Sequence, residues 1–169
     1  MTNHFTTVSD TYFKSLRVSK QVWSDQRLRS KVKRLEPYVG ILHKLLGLKR
    51  VEIRVASYND VHGECFTGGR QIILDAKLRF DVLLKTLCHE MTHAQQFQSK
   101  RLKFKNGYDM WEGMAWNESM STARTPHGVY RSAPWEVEAY AAEKTLYKTV
   151  TKMIQSQNKS IQNAGSVLR

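Results

Sequence analysis

Leu87-Cys88-His89-Glu90-Met91-Thr92-His93-Ala94-Gln95-Gln96 is the stretch whose reading decides the fold. Apolar residues and good helix formers surround it, and the spacing predicts one helix from about Asp81, as its cap, to about Gln98. On a helix, residues four apart project from the same face, so His89 and His93 can reach a single metal ion. Glu90 is rotated by about 100 degrees from His89, which suits it to meet a water held by that metal rather than the metal itself. A catalytic zinc takes three protein ligands and keeps a further position open, so a third ligand is required downstream. Three residues qualify. Glu136 and Glu138 lie two apart in Pro134-Trp135-Glu136-Val137-Glu138-Ala139, so only one of them can face the metal, and His127 is the third candidate. The ordinary alternative is a pair of surface histidines with a helix-stabilising glutamate.

Upstream, the apolar period changes from helical to alternating. Leu28, Val32, Leu35, Val39, Leu42 and Leu46 recur at steps of three and four, which predicts a helix with a break or kink near Pro37 and a stop at Gly47. A short helix over 10–20 is expected before it. Val51, Ile53 and Val55 alternate with Glu52 and Arg54, the pattern of a strand with one buried face. Val61–Phe66 and Arg70–Asp75 read as a hairpin around Gly68-Gly69. The segment 106–132 has little periodicity and is long for a bare loop, so small elements of its own are expected. Pro134 suits the first position of a C-terminal helix with an apolar face of Val137, Ala141, Leu146, Val150 and Ile154, and a frayed tail over 160–169. The fold class is therefore α+β, one domain of 169 residues with a basic helical part over 1–50 and a core over 51–155.

Composition sets the outer bounds. Hydrophobic residues make up 41% and charged residues 25%, a globular mix, and the three prolines and nine glycines exclude repetitive fibrous architectures. No apolar run approaches the roughly 20 residues that span a bilayer, so no membrane partner is expected. Two cysteines cannot make a disulfide framework, and no secretory leader is visible, so a cytoplasmic location is expected. The net charge is +12. It is unevenly spread: residues 14–50 hold eleven basic and two acidic side chains, whereas 106–143 hold six acidic and two basic. An acidic island between basic arms places metal chemistry in the island and anion contact outside it. Lys31, Lys33, Arg34, Lys100, Arg101 and Lys103 are the candidate contacts to DNA or RNA.

The HExxH run followed by Pro134-Trp135-Glu136-Val137-Glu138-Ala139 resembles the zincin metallopeptidases, and more narrowly small gluzincin-like domains in which a downstream glutamate completes a zinc site. That resemblance implies a zincin-like fold, one Zn²⁺ ion held by His89, His93 and Glu136, and Glu90 as general base in peptide-bond hydrolysis. Gly63-Glu64-Cys65-Phe66 and Gly68-Gly69-Arg70-Gln71-Ile72-Ile73-Leu74 before the helix are also similar to SprT-like domains, whose third ligand is a histidine closer to the motif than His127. Tyr130, Tyr140 and His127 are candidate donors to the reaction's oxyanion. The resemblance further implies a sheet-edge strand that binds substrate backbone as an added strand, with Arg70–Asp75 its expected equivalent. Arg70, Ile72 and Leu74 would then face a protein or peptide substrate, and Trp111 would wall the cleft. The activity expected is that of a zinc endopeptidase acting on proteins bound to nucleic acid. The alternative is a catalytically silent module on the same scaffold that binds nucleic acid or a protein partner.

Overall fold

A computed structural model describes residues 16–18, 25–57, 61–117 and 126–166. It is mixed α+β, with four helices and two small sheets among the described residues. The first sheet contains β1 (Leu16–Val18), β2 (Glu52–Ala56), β3 (Gly63–Cys65) and β4 (Gln71–Asp75), in the spatial order β1-β2-β4-β3. β1 pairs parallel to β2, β2 parallel to β4, and β3 antiparallel to β4. The second sheet is an antiparallel meander of β5 (Leu102–Lys105), β6 (Tyr108–Trp111) and β7 (Met114–Ala115). The helices are α1 (Gln26–Leu45), α2 (Phe80–Gln98), α3 (Pro126–Arg131) and α4 (Pro134–Ser166).

Alternation along β2 and β4 sends Ile53, Val55, Ile72 and Leu74 to one face, where all four are fully buried. Val32, Leu35, Val39 and Leu42 of α1 and Leu83, Leu87 and Met91 of α2 complete that core, and Val150 of α4 closes it. A second, smaller cluster joins Leu102, Ala133 and Trp135 to Phe97, Trp111 and Trp116.

Several expectations are corrected. Leu16–Val18 is a strand on β2, not part of a helix, and the rest of 10–20 lies outside the described residues. Pro37 does not break α1. It and Lys33, whose carbonyl loses its helical partner, both face solvent, and the buried stripe continues past them. Asp25 caps α1 by accepting from the Arg27 and Leu28 N–H groups. The helix ends as expected at Gly47 (φ +60°), with Leu48 N–H bonded to His43 O and Gly47 N–H to Lys44 O. Asp81 sits inside the first turn of α2 rather than at its cap, which is Arg79, and it pairs with that arginine at 2.9 Å.

Lys100 (φ +64°) turns the chain out of α2, and Leu102–Lys105 form β5. In α4 the buried stripe is Trp135, Glu136, Ala139 and Val150, while Val137 is 56% exposed and Ala141 faces solvent. The helix continues to Ser166, and the rest of the tail, 167–169, lies outside the described residues. No helix among the described residues is long and apolar enough to cross a membrane.

Candidate metal centre

α2 and α4 pack along each other, and their contact brings the site together. His89 and His93 project from one face of α2, and Glu136, in the first turn of α4, meets them from above. The two Nε2 atoms are 3.1 Å apart. Glu136 Oε2 lies 3.3 Å from His89 Nε2, and Oε1 lies 3.2 Å from His93 Nε2. Ligands about 2.0–2.1 Å from a tetrahedral zinc are separated from one another by about 3.3–3.4 Å. The two imidazoles meet different oxygens of Glu136, and with one ligand atom taken from each residue all three lie within 4.8 Å of one another, close enough to share one ion.

The donor chemistry fits a cation equally well. Both Glu136 oxygens are buried without a hydrogen-bond donor, and the side chain is 1% exposed. Burial would push this carboxyl up, but the two imidazoles outweigh it and hold it at about 2. Burial would lower His93, and the facing carboxylate reverses that and raises it. The three groups thus form a buried nest of electron pairs that attracts positive charge. His89, His93 and Glu136 could hold a metal ion.

Gln96 sets the orientation of His93. This fully buried amide donates through Nε2 to Trp135 O (3.0 Å) and faces Glu138 Oε1 (3.3 Å). With both donors aimed at acceptors, its oxygen is left to meet His93 Nδ1 at 2.8 Å. In the neutral ring Nδ1 then carries the proton, which leaves Nε2 bare and pointed into the trio, as a metal requires. On the other imidazole, Glu143 Oε2 is 3.6 Å from His89 Nδ1, an ion-pair distance beyond hydrogen-bond range. Tyr140 lies against the His89 ring (4.6 Å between centroids), and the Arg131 guanidinium sits over the Tyr140 ring at 4.3 Å.

The choice among third ligands now falls on Glu136. Glu138 turns away into a two-pronged pair with Arg101, at 2.8 and 2.6 Å. The side chain of His127 lies outside the described residues. Glu90 is buried beside the trio and accepts a hydrogen bond from the Cys65 backbone on β3; burial pushes its carboxyl up. A cavity of about 410 Å³ opens onto His89, Glu90 and Glu136, and Tyr130, Tyr140 and Glu143 line it too. Tyr130 is half exposed there.

Other nominated residues are elsewhere. β4 is an interior strand, and Ile72 and Leu74 are in the core, so none of that strand is free to pair with substrate. Among the described residues, the free edge beside the cavity is β3. Arg70 opens onto a different cleft. Trp111 packs against Trp135 (6.4 Å) and under Arg101 (4.6 Å) and is not among the cavity's lining residues. Lys31 is engaged by the carbonyls of Ala76 and Leu78, both at 2.7 Å, and Arg101 by Glu112 and Glu138. Arg34 lies over the Phe80 ring.

Sequence reasoning missed Gln96 and Glu143. The signal for each was spacing: Gln96 is one turn after His93, and Glu143 two turns after Glu136, on the same helix faces. No protein-family model, curated protein or solved structure matches this chain.

Proposed function

We propose that the chain is a zinc-dependent metalloendopeptidase with a zincin-like fold. The observation that carries this reading is the buried convergence of His89, His93 and Glu136 next to a carboxylate, Glu90, that belongs to none of the three ligand positions. A purely structural zinc site is closed by a fourth protein ligand and has no use for an adjacent base. Bound there, Zn²⁺ would acidify water and polarise a carbonyl.

The chain's own residues supply the rest. Glu90, raised by burial and oriented by the Cys65 N–H, takes a proton from water and returns it to the departing amine. Tyr130, at the cavity mouth, donates its hydroxyl to the oxygen of the reacting carbonyl. The β3 edge positions an extended peptide. His62 O and Phe66 N–H bond to β4, so the alternation of the ladder turns Gly63 and Cys65 outward. The Cys65 N–H serves Glu90, which leaves the Gly63 N–H and C=O for substrate backbone.

The test is zinc stoichiometry by elemental analysis together with cleavage of an unstructured protein such as casein. One zinc per chain is expected. Glu90→Gln should keep the metal and lose cleavage by about 10²- to 10⁴-fold. A Glu90→Gln variant that cleaves like the parent refutes the mechanism.

A further inference from the structure

Of the six basic side chains that the sequence nominated for nucleic acid, Lys31, Arg34 and Arg101 are committed to the protein's own carbonyls, carboxylates and rings, whereas Lys33, Lys100 and Lys103 are exposed. Lys100 joins three cations that the sequence did not nominate for that role. Lys49 and Arg50 follow α1, Arg70 precedes β4, and Lys100 follows α2. All four are exposed, and they converge on a cleft of about 590 Å³. Among the described residues, no ion pair or hydrogen bond engages any of the four charged groups; Lys49 is held through its backbone, whose N–H donates to Gln98 Oε1 at 2.8 Å. Glu52 is the acid in the lining, and Arg54 holds it at 2.7 Å.

A helix C-terminus accounts for one cation at this position, because it complements the dipole of α2. It does not account for four from three separate segments. Like charges gathered in a concavity repel, and walls of low dielectric focus their field into the space between them. Such an arrangement is relieved by a polyanion. The rest of the lining suits a flexible strand: Phe97 offers an aromatic surface, and Gly68 has open space where a side chain would stand. The hairpin that carries Gly68 and Arg70 is fixed against α2, so the cations from the different segments share one rigid frame. A Cβ on Gly69 would come within 2.5 Å of Ala94 O.

We propose that the cleft formed by Lys49, Arg50, Arg70 and Lys100 binds the phosphodiester backbone of single-stranded nucleic acid. The site lies at the C-terminal end of the helix that carries His89 and His93, and its occupancy does not depend on any hydrolytic activity.

The experiment is fluorescence anisotropy of the full chain with labelled single-stranded DNA and RNA oligonucleotides across a salt series. Each phosphate contact to a single strand contributes about −0.7 to the slope of log affinity against log salt, so four contribute about −2.8. That corresponds to about a 50-fold loss of affinity between about 50 and 200 mM salt. Replacing all four by alanine should flatten the slope by about 2.8 and leave metal content and circular dichroism unchanged. The control variant removes the same charge from exposed helix faces elsewhere, by Lys33→Ala, Lys144→Ala, Lys148→Ala and Lys152→Ala. It should keep nearly the parent slope. The proposal is overturned if the control loses as much as the cleft variant, if a duplex of equal length binds at least as tightly as the single strand, or if inorganic phosphate at millimolar concentration displaces the oligonucleotide.

Discussion

Replacing Gln96 by leucine, which keeps most of its volume and none of its hydrogen bonds, tests whether this amide prepares His93 to bind metal. Three groups lose a partner: His93 Nδ1, Trp135 O and, in part, Glu138 Oε1. Arg101 still serves Glu138, and Trp135 O keeps the Ala139 N–H of its own helix, so one buried group, His93 Nδ1, is left bare. That costs about 1–3 kcal/mol, a sizeable share of the about 5–15 kcal/mol available to a domain. Metal affinity should fall separately by about 10- to 100-fold, because His93 is no longer held with its proton on Nδ1.

Affinity is read by chelator competition at a temperature where circular dichroism shows the variant folded. The tautomer is read from the ¹⁵N shifts of His93 in metal-free protein, with Nδ1–H expected in the parent and a mixture in Gln96→Leu. Gln96→Glu supplies the control. It keeps an acceptor for His93, so affinity should stay within a few-fold of the parent, while the new carboxylate against Glu138 lowers stability. A folded Gln96→Leu protein that binds metal as tightly as the parent, with the same tautomer, refutes the reasoning and reduces Gln96 to packing.

Other outcomes follow from the same geometry. Glu136→Ala should abolish stoichiometric metal binding whereas Glu138→Ala retains it, as measured by elemental analysis after gel filtration. Lys31→Ala, a change in a nominally superficial lysine, should lower the unfolding free energy by about 1–3 kcal/mol in a denaturant titration, because the Ala76 and Leu78 carbonyls lose their donor. Gly69→Ala should reduce the thermal midpoint markedly, since the new methyl meets Ala94 backbone in a left-handed turn (φ +64°); an unchanged midpoint would show that the hairpin can move away from α2. Zinc at about 100 times its dissociation constant should stabilise the fold by about 2.7 kcal/mol, and Glu136→Ala should remove that increment.

What was legible in the sequence is what local chemistry controls. The step of four between His89 and His93 places two imidazoles on one helix face wherever that helix lies. Alternation in Val51–Val55 and the paired glycines at 68–69 define a strand and a turn without reference to anything distant. Gly47 ends its helix because its conformation is open to glycine at little cost.

Tertiary structure decided everything that depends on which neighbour a residue meets. Glu136 and Glu138 are equivalent by spacing; packing of α4 on α2 sends one to the imidazoles and the other to Arg101. Among the described residues, β3, not β4, is the free edge because β1 and β2 add to the other side of β4, and Leu16–Val18, too short to announce itself by periodicity, is stabilised as a strand only by its partner. A run of lysines and arginines reads as uniform charge along the chain. Folding divides it into those that hydrogen-bond to carbonyls, those that pair with carboxylates, and those left facing a cleft, because such partners are brought within reach only by contacts distant in sequence.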